Sequence, residues 1–277
     1  MFKDIFELYN KALPAYQMRE DDWLSWLKPE LAEIKRAYDG EKLAGFALIH
    51  GNSVALLCVD EQSRGRGFGS RLLEESEAFI KQAGANRVIL GRGRHYILQG
   101  VPNENPDVVS FFEGRGYEAE WTSANMATLL DGFEINKLDI PPLSAEISFR
   151  FAEDADKSAL LAAVEDADSS WVHVFEDCAD PVMLAVRDGE IAGFQILAED
   201  GARFTAKGGK IGCIGCVGVV HKARELGIGR RMVAEGMDWL KQRGCTAVEL
   251  RYVAIVDWYR KLGFYVEREQ WMGEKAL

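Results

Sequence analysis

The chain has 277 residues, 48% hydrophobic and 28% charged, and carries a formal net charge of -11. That length suits two domains of ordinary size. No run of about 18 uncharged apolar residues is present to cross a membrane, and the acidic balance argues against a nucleic-acid binder, which gathers Lys and Arg to meet phosphates.

An acidic surface serves solubility and also suits a cationic partner. Lys3, Asp4 and Glu7 interrupt the first apolar residues, unlike a secretory signal, so the expected location is cytoplasmic. The five cysteines are odd in number, with Cys58, Cys178 and Cys245 far apart, which disfavours a disulfide framework.

In chain order, an N-terminal helical stretch gives way to Asp39-Gly40-Glu41-Lys42-Leu43-Ala44-Gly45-Phe46. An Asp-Gly between apolar runs predicts a hairpin, because glycine accepts positive φ without steric cost. A strand ending at Val59 then leads into Arg64-Gly65-Arg66-Gly67-Phe68-Gly69-Ser70. Leu72, Leu73, Phe79 and Ile80 mark one face of a following helix, ended by Gly84. Val88 and Leu90 lie in a further strand, followed by an extra loop around Tyr96 to Glu104 and by Phe112-Glu113-Gly114-Arg115-Gly116-Tyr117. Strand-like Trp121 to Leu129 ends in a boundary region, Leu130 to Ser144, where Asp131-Gly132 and Pro141-Pro142 interrupt regular structure. The expected domains are 1–135 and 146–277.

The second half repeats the first. At an offset of 160, Val59, Arg64, Gly67 and Gly69 fall on Val219, Arg224, Gly227 and Gly229, and Val88 and Leu90 fall on Val248 and Leu250. Upstream, Asp188-Gly189-Glu190-Ile191-Ala192-Gly193-Phe194 predicts the matching hairpin, and a longer connection follows around Gly201 to Lys210. Met232, Val233, Met237, Trp239 and Leu240 form the apolar stripe of the corresponding helix, ended by Gly244. Between these elements, Cys213 and Cys216 form a Cys-x-x-Cys in a strand, where a separation of three predicts opposite faces. No second pair completes a zinc site, and no metal is expected. Each half reads as an α/β mixed sheet flanked by helices.

The chemistry points to the turn. In both halves a strand enters Arg-x-x-Gly-x-Gly and then a helix, which presents unpaired N–H groups and the positive end of the helix dipole to an anion. A pyrophosphate suits several donors in one turn. A dinucleotide fingerprint would need a third glycine where Ser70 stands, and a P-loop would need Gly-Lys-Ser or Gly-Lys-Thr, which neither copy has. An arginine-glycine nucleic-acid segment accounts for the first copy alone.

These turns resemble the signature of the GNAT superfamily of N-acetyltransferases, which has Arg or Gln, two residues, Gly, one residue, then Gly or Ala. Trp258-Tyr259-Arg260-Lys261-Leu262-Gly263-Phe264 resembles the family's later Tyr-x-x-Leu-Gly-Phe. The resemblance covers nearly the whole chain and implies two tandem GNAT-like domains, each with a splayed sheet that receives the pantetheine arm of acetyl-CoA. It implies cofactor contacts from Val217, Val219, Arg224, Glu225, Leu226, Gly227, Ile228, Gly229 and Arg230, and in the first copy from Val59, Arg64, Gly65, Arg66, Gly67, Phe68, Gly69 and Ser70.

The implied reaction is direct acetyl transfer to a primary amine of a small, cationic molecule, with Tyr259 as general acid. Without the motif, Tyr259 reads as an aromatic filling a helix–sheet interface. Phe112 stands at the matching position of the first copy and has no proton, so that domain is expected to bind without turnover or to serve as a structural partner; Tyr96 and Tyr117 are its substitutes, out of position. An alternative reading makes the whole chain a degenerate acetyl-CoA sensor or scaffold. The general base stays open among Glu249, Glu176 and Asp177, and His50, His95, His173 and His221 share no motif.

Overall fold

A computed structural model describes residues 2–93, 96–104, 106–143, 146–201 and 209–277. Both predicted hairpins form. The first joins β1 (Glu33–Asp39) to β2 (Lys42–His50), with Asp39 opposite Lys42. The second joins β8 (Val182–Arg187) to β9 (Glu190–Ala198). At its tip Asp188 and Gly189 take φ of 51° and 80°. Positive φ at both central residues matches the right-handed twist of the flanking strands.

The chain divides into two compact units that are not contiguous in sequence. One holds Met1–Ala124 and Arg268–Leu277, the other Asn125–Ala202 and Gly209–Glu267. The sheet of the first runs β1-β2-β3-β4-β13, with β3 at Ser53–Val59, β4 at Arg87–Leu90 and β13 at Glu274–Ala276. The position beside β4 is therefore filled from the far end of the chain, Glu274 pairing with Ile89. The second sheet has eight strands in the order β7-β8-β9-β10-β11-β6-β12-β5, with β5 at Val101–Pro102. Its further strands are β7 (Ile147–Phe151), β10 (Ile211–Val219), β11 (Ala247–Val253) and β12 (Tyr265–Trp271). The position beside β11 is filled by β6 (Thr122–Leu129), from the first half of the sequence. The expected division into 1–135 and 146–277 is thus crossed by a reciprocal strand exchange. Both sheets mix parallel and antiparallel pairs and carry helices on their faces.

Strand alternation decides what each face of the first sheet buries. Phe46 and Leu48 of β2 pack under α1 (Lys3–Ala12) and α2 (Glu20–Leu27), with Ile5, Tyr9 and Trp23. Ala47 and Ile49 turn the other way, toward α3 (Phe68–Gln82), with Leu72 and Leu73. The stripe predicted for the second copy packs likewise: Met232, Val233, Met237 and Leu240 of α7 (Ile228–Gln242) are fully buried. Trp239 is half-buried under the Arg243 guanidinium. Both helices stop as predicted. Gly84 and Gly244 take φ of 90° and 81°, and the next amides, Ala85 and Cys245, donate back to Ile80 and Leu240 at 3.2 and 3.1 Å. Among the described residues no helix is long and apolar enough to cross a membrane.

Candidate active site

In the second unit β10 and β11 run parallel for three pairs only, Ile211 with Ala247, Gly212 with Val248 and Cys213 with Glu249, and then part. The free length of β10 is also irregular. Its register with β9 shifts between Gly215 and Gly218, and Cys216 takes a φ of 47°. Such a bulge leaves backbone groups out of the ladder and re-aims side chains. The alternation that predicts opposite faces for Cys213 and Cys216 does not carry across it. Burial pushes the Cys216 thiol up to about 12, with Cys213, Cys178 and Asp168 adding to the shift. All five cysteines are free, and no metal-holding group of His, Cys, Asp and Glu occurs among the described residues.

Beyond the parted strands the chain makes the glycine turn. Gly227 caps α7 in the left-handed region, φ 73°, and no side chain caps the helix. The donors of its first turn are therefore left for an anion. The arginine that opens the motif is anchored within the fold. Arg224 Nη2 donates to the Ala167 carbonyl at 3.1 Å and Nε to the Val219 carbonyl at 3.4 Å, fastening the turn to α5 (Lys157–Asp168) and to its own strand. Arg64 makes the same strand contact, Nε to the Val59 carbonyl at 3.4 Å.

A cavity of about 490 Å³ joins the parted strand to this turn. Of the sequence-derived residues, Val217, Val219, Arg224, Glu225, Gly227, Gly229 and Arg230 line it. Leu226 is exposed outside it and Ile228 is buried in the core. Sequence reasoning missed the remaining wall: Pro141, Ala167, Asp168, Trp171, Gly218, Ile255 and Trp258. Trp258 was the legible one among these, since it precedes Tyr259 in the quoted motif. A side chain built on Gly229 would come within 3.2 Å of its ring, so glycine there keeps turn and tryptophan close.

Tyr259 lies on α8 (Val256–Arg260) behind Trp258, 8% exposed. Burial pushes its hydroxyl up to about 12, and the Cys216 thiol on the bulge contributes. The candidate bases stand apart from the cavity lining. Glu249 is buried, with Arg251 Nε 3.3 Å from its carboxylate. Glu176, Asp177 and His173 are exposed around the end of α6 (Val172–Glu176). His221 is held by Asp166, its backbone N–H donating at 2.7 Å and its ring at 3.3 Å. His50 is half-buried, and His95 lies outside the described residues.

The first unit has the same parted strands, β3 and β4 pairing only at Ser53 with Ile89 and Val54 with Leu90. Its turn is committed elsewhere. Arg66 makes a two-pronged pair with Asp39 at 2.5 and 3.0 Å. Arg115 sets one Nη on Ser70 Oγ and the other on the Phe111 carbonyl, both at 2.6 Å. Phe112, on α4 (Pro106–Glu113), is buried 5.6 Å from the Tyr117 ring. The Tyr117 hydroxyl donates to Glu77 at 2.9 Å, and Tyr96 is 45% exposed. The irregularity in β3 also differs, falling at Ala55, between Val54 and Leu56, so the strand from Leu56 to Val59 keeps a regular ladder with β2.

Two mixed sheets, each parted beside a glycine turn at the head of a helix, define an α/β fold of the acyltransferase class. The chain belongs to the Acetyltransferase (GNAT) family, whose profile matches residues 2–117 and 147–264. Among solved structures it is similar to the glucosamine N-acetyltransferase region of a fungal multi-domain GH3 β-N-acetylglucosaminidase, at a TM-score of 0.85, 22% identity and 98% coverage of this chain. The chain spans 36% of that protein's length. A GCN5-related N-acetyltransferase from Sphaerobacter thermophilus gives 0.72 and 21% identity, covering 99% of this chain and 91% of its own. A tandem GNAT protein from the clavulanic acid biosynthesis pathway gives 0.70 and 16%, covering 99% and 94%. No protein of curated function matches the chain in sequence. Family membership supports acetyl transfer, and these neighbours share the fold.

Proposed function

We propose that the second unit binds acetyl-CoA and moves its acetyl group to the primary amine of a small molecule, and that the first unit has no turnover. The observation that carries this is the cavity itself, which runs from the parted strand at Val217 and Val219 to the uncapped start of α7, with Trp258 between the turn and Tyr259. The residues fit the donor. Gly227 and Gly229 leave room for a diphosphate, the first-turn amides and Arg230 face it, and the bulge frees backbone groups of β10 to pair with an extended arm.

Acetyl-CoA supplies a thioester whose acyl carbon accepts an unprotonated amine, yielding an amide and the free CoA thiol. Tyr259 holds a proton at its hydroxyl across the neutral range, because burial disfavours the phenolate. That proton is the one the departing sulfur would take, at a cost that the raised value increases. The acidic balance of the chain fits an acceptor that arrives as a cation. Glucosamine, named for the fungal neighbour, is the first acceptor to try.

Release of free thiol from acetyl-CoA, followed with glucosamine and a panel of polyamines, amino acids and aminoglycosides, tests the proposal. Amine-dependent thiol release supports it. Strong thermal stabilisation by acetyl-CoA with no turnover on any amine would favour the sensor reading instead, since ligand at about 100 times its Kd stabilises by about 2.7 kcal/mol without chemistry.

A further inference from the structure

The segment after β6 is a strap laid along α7. It is fastened at its start, where the Leu130 amide donates to Thr246 at 2.9 Å and the Lys241 ammonium, in the last turn of α7, reaches the Phe133 carbonyl. A short turn at Ile135–Lys137 follows, held by the Leu138 amide on Ile135 at 3.1 Å. By Pro141 the strap has reached the opposite end of the helix. There Pro141 lines the cavity, and a Cβ built on Gly227 would lie 3.7 Å from the Pro141 Cβ.

The strap has little slack. From Lys241 back to Gly227 the helix rises about 21 Å at 1.5 Å per residue. The strap from Phe133 to Pro141 reaches roughly 23 Å, allowing about 3.4 Å per extended step and about 2.0 Å in the short turn. Proline adds a fixed φ and no N–H, so the strap presents a rigid apolar ring beside the phosphate donors. Among the described residues the first copy has no such wall: a Cβ on Gly67, the equivalent cap, would meet nothing within 4 Å.

We propose that this strap is a fixed wall of the donor site and that Pro141 touches the diphosphate-bearing half of acetyl-CoA. The proposal rests on reading the cavity as the acetyl-CoA site. It adds a cofactor contact from outside the repeated domain, on the one copy whose cap is covered.

The test uses the full chain with Pro141→Glu and Pro141→Arg, both at an exposed position. Binding of CoA is followed by calorimetry, and turnover is followed with S-acetylpantetheine, which lacks the diphosphate. A like charge beside the phosphates should weaken CoA binding about tenfold, and the opposite charge should tighten it about threefold, both effects shrinking at high salt. Turnover of S-acetylpantetheine should shift less than CoA affinity in both variants. Equal CoA affinity in the three, or a change of the same sign in both variants, overturns the strap's role while leaving the donor site standing. If the unaltered chain binds no CoA, the donor-site reading fails and the strap's role falls with it.

Discussion

Trp258 and Tyr259 meet edge to face, their ring centroids 4.7 Å apart and their planes at 79°. Consecutive residues of one short helix thus differ in place: the first lines the cavity and the second is buried against it. Phe264 completes the packing, 5.9 Å from the Tyr259 ring at 76°.

Removing only the hydroxyl should separate packing from chemistry. Tyr259→Phe keeps both edge-to-face contacts, so folding and acetyl-CoA affinity should match the unaltered protein while kcat falls about 100-fold, the usual scale for general acid catalysis. Phe112→Tyr should add no activity and should lower the Tm, because the new hydroxyl enters a buried aromatic cluster. Steady-state kinetics at saturating acceptor, with thermal melts, check both. A near-normal kcat in Tyr259→Phe when chemistry is rate-limiting would remove the tyrosine from the reaction.

The two turns should behave differently toward the donor. Calorimetry should give about one CoA per chain. Gly227→Glu places a strained, negatively charged side chain against Pro141 and the phosphate donors, so binding should be lost. Gly67→Glu should leave the stoichiometry unchanged, since in that turn Arg66 is already paired with Asp39 and Ser70 is held by Arg115. Two molecules bound per chain would contradict this division.

A hydroxyl raised to about 12 sets a pH signature. The tyrosine keeps its proton through the neutral and mildly alkaline range, so kcat should show no falling limb from this group between about pH 7 and 10. In stability the sign is the reverse of a carboxylate's. Unfolded tyrosine loses its proton near its ordinary value of about 10, ahead of the folded form, so its contribution is fully present below about pH 10 and is lost as pH rises toward 12. Chemical denaturation across that window should show a smaller loss in Tyr259→Phe than in the parent; equal losses would show that the buried phenol is not the source.

Asp60 should matter to the fold of the first unit. Its side chain is 2% exposed and bridges Lys42 at 2.6 Å and Lys11 at 2.9 Å. These two ammonium groups, Lys42 foremost, hold its carboxyl well below the usual carboxylate range. The stabilisation is present above the ordinary value of about 3.9 and is lost as pH falls below it. Asp60→Asn should therefore lower the denaturation midpoint at pH 7, with the gap to the parent narrowing steadily as pH falls below about 4. A gap that persists in acid would mean that packing, not charge, is responsible.

The repeat, the hairpins and the helix stops were legible because each rests on local chemistry: Asp188-Gly189 needs only two residues to specify its turn, and Gly244 needs only its own φ. The turn of the site was legible for the same reason. The rest is non-local. Nothing in Gly215-Cys216-Val217-Gly218 announces a bulge, whose position is fixed by pairing with Phe194 and Ile196 on β9. Pro141 reads as a boundary signal, and only the path along α7 makes it part of a wall. The pairing of Glu274 with Ile89 was equally hidden, since a three-residue strand carries no mark of which edge it will join.

That exchange of strands bears on how the protein is made. Emerging from a ribosome N-terminus first, the first unit can collect its helices and four strands early, but the edge of β4 must wait for Glu274–Ala276. An open strand edge is a template for wrong partners, and a pairing between distant segments is slow to close. A chain stopped short of Glu274 would therefore leave the sheet of the first unit without the strand that covers β4.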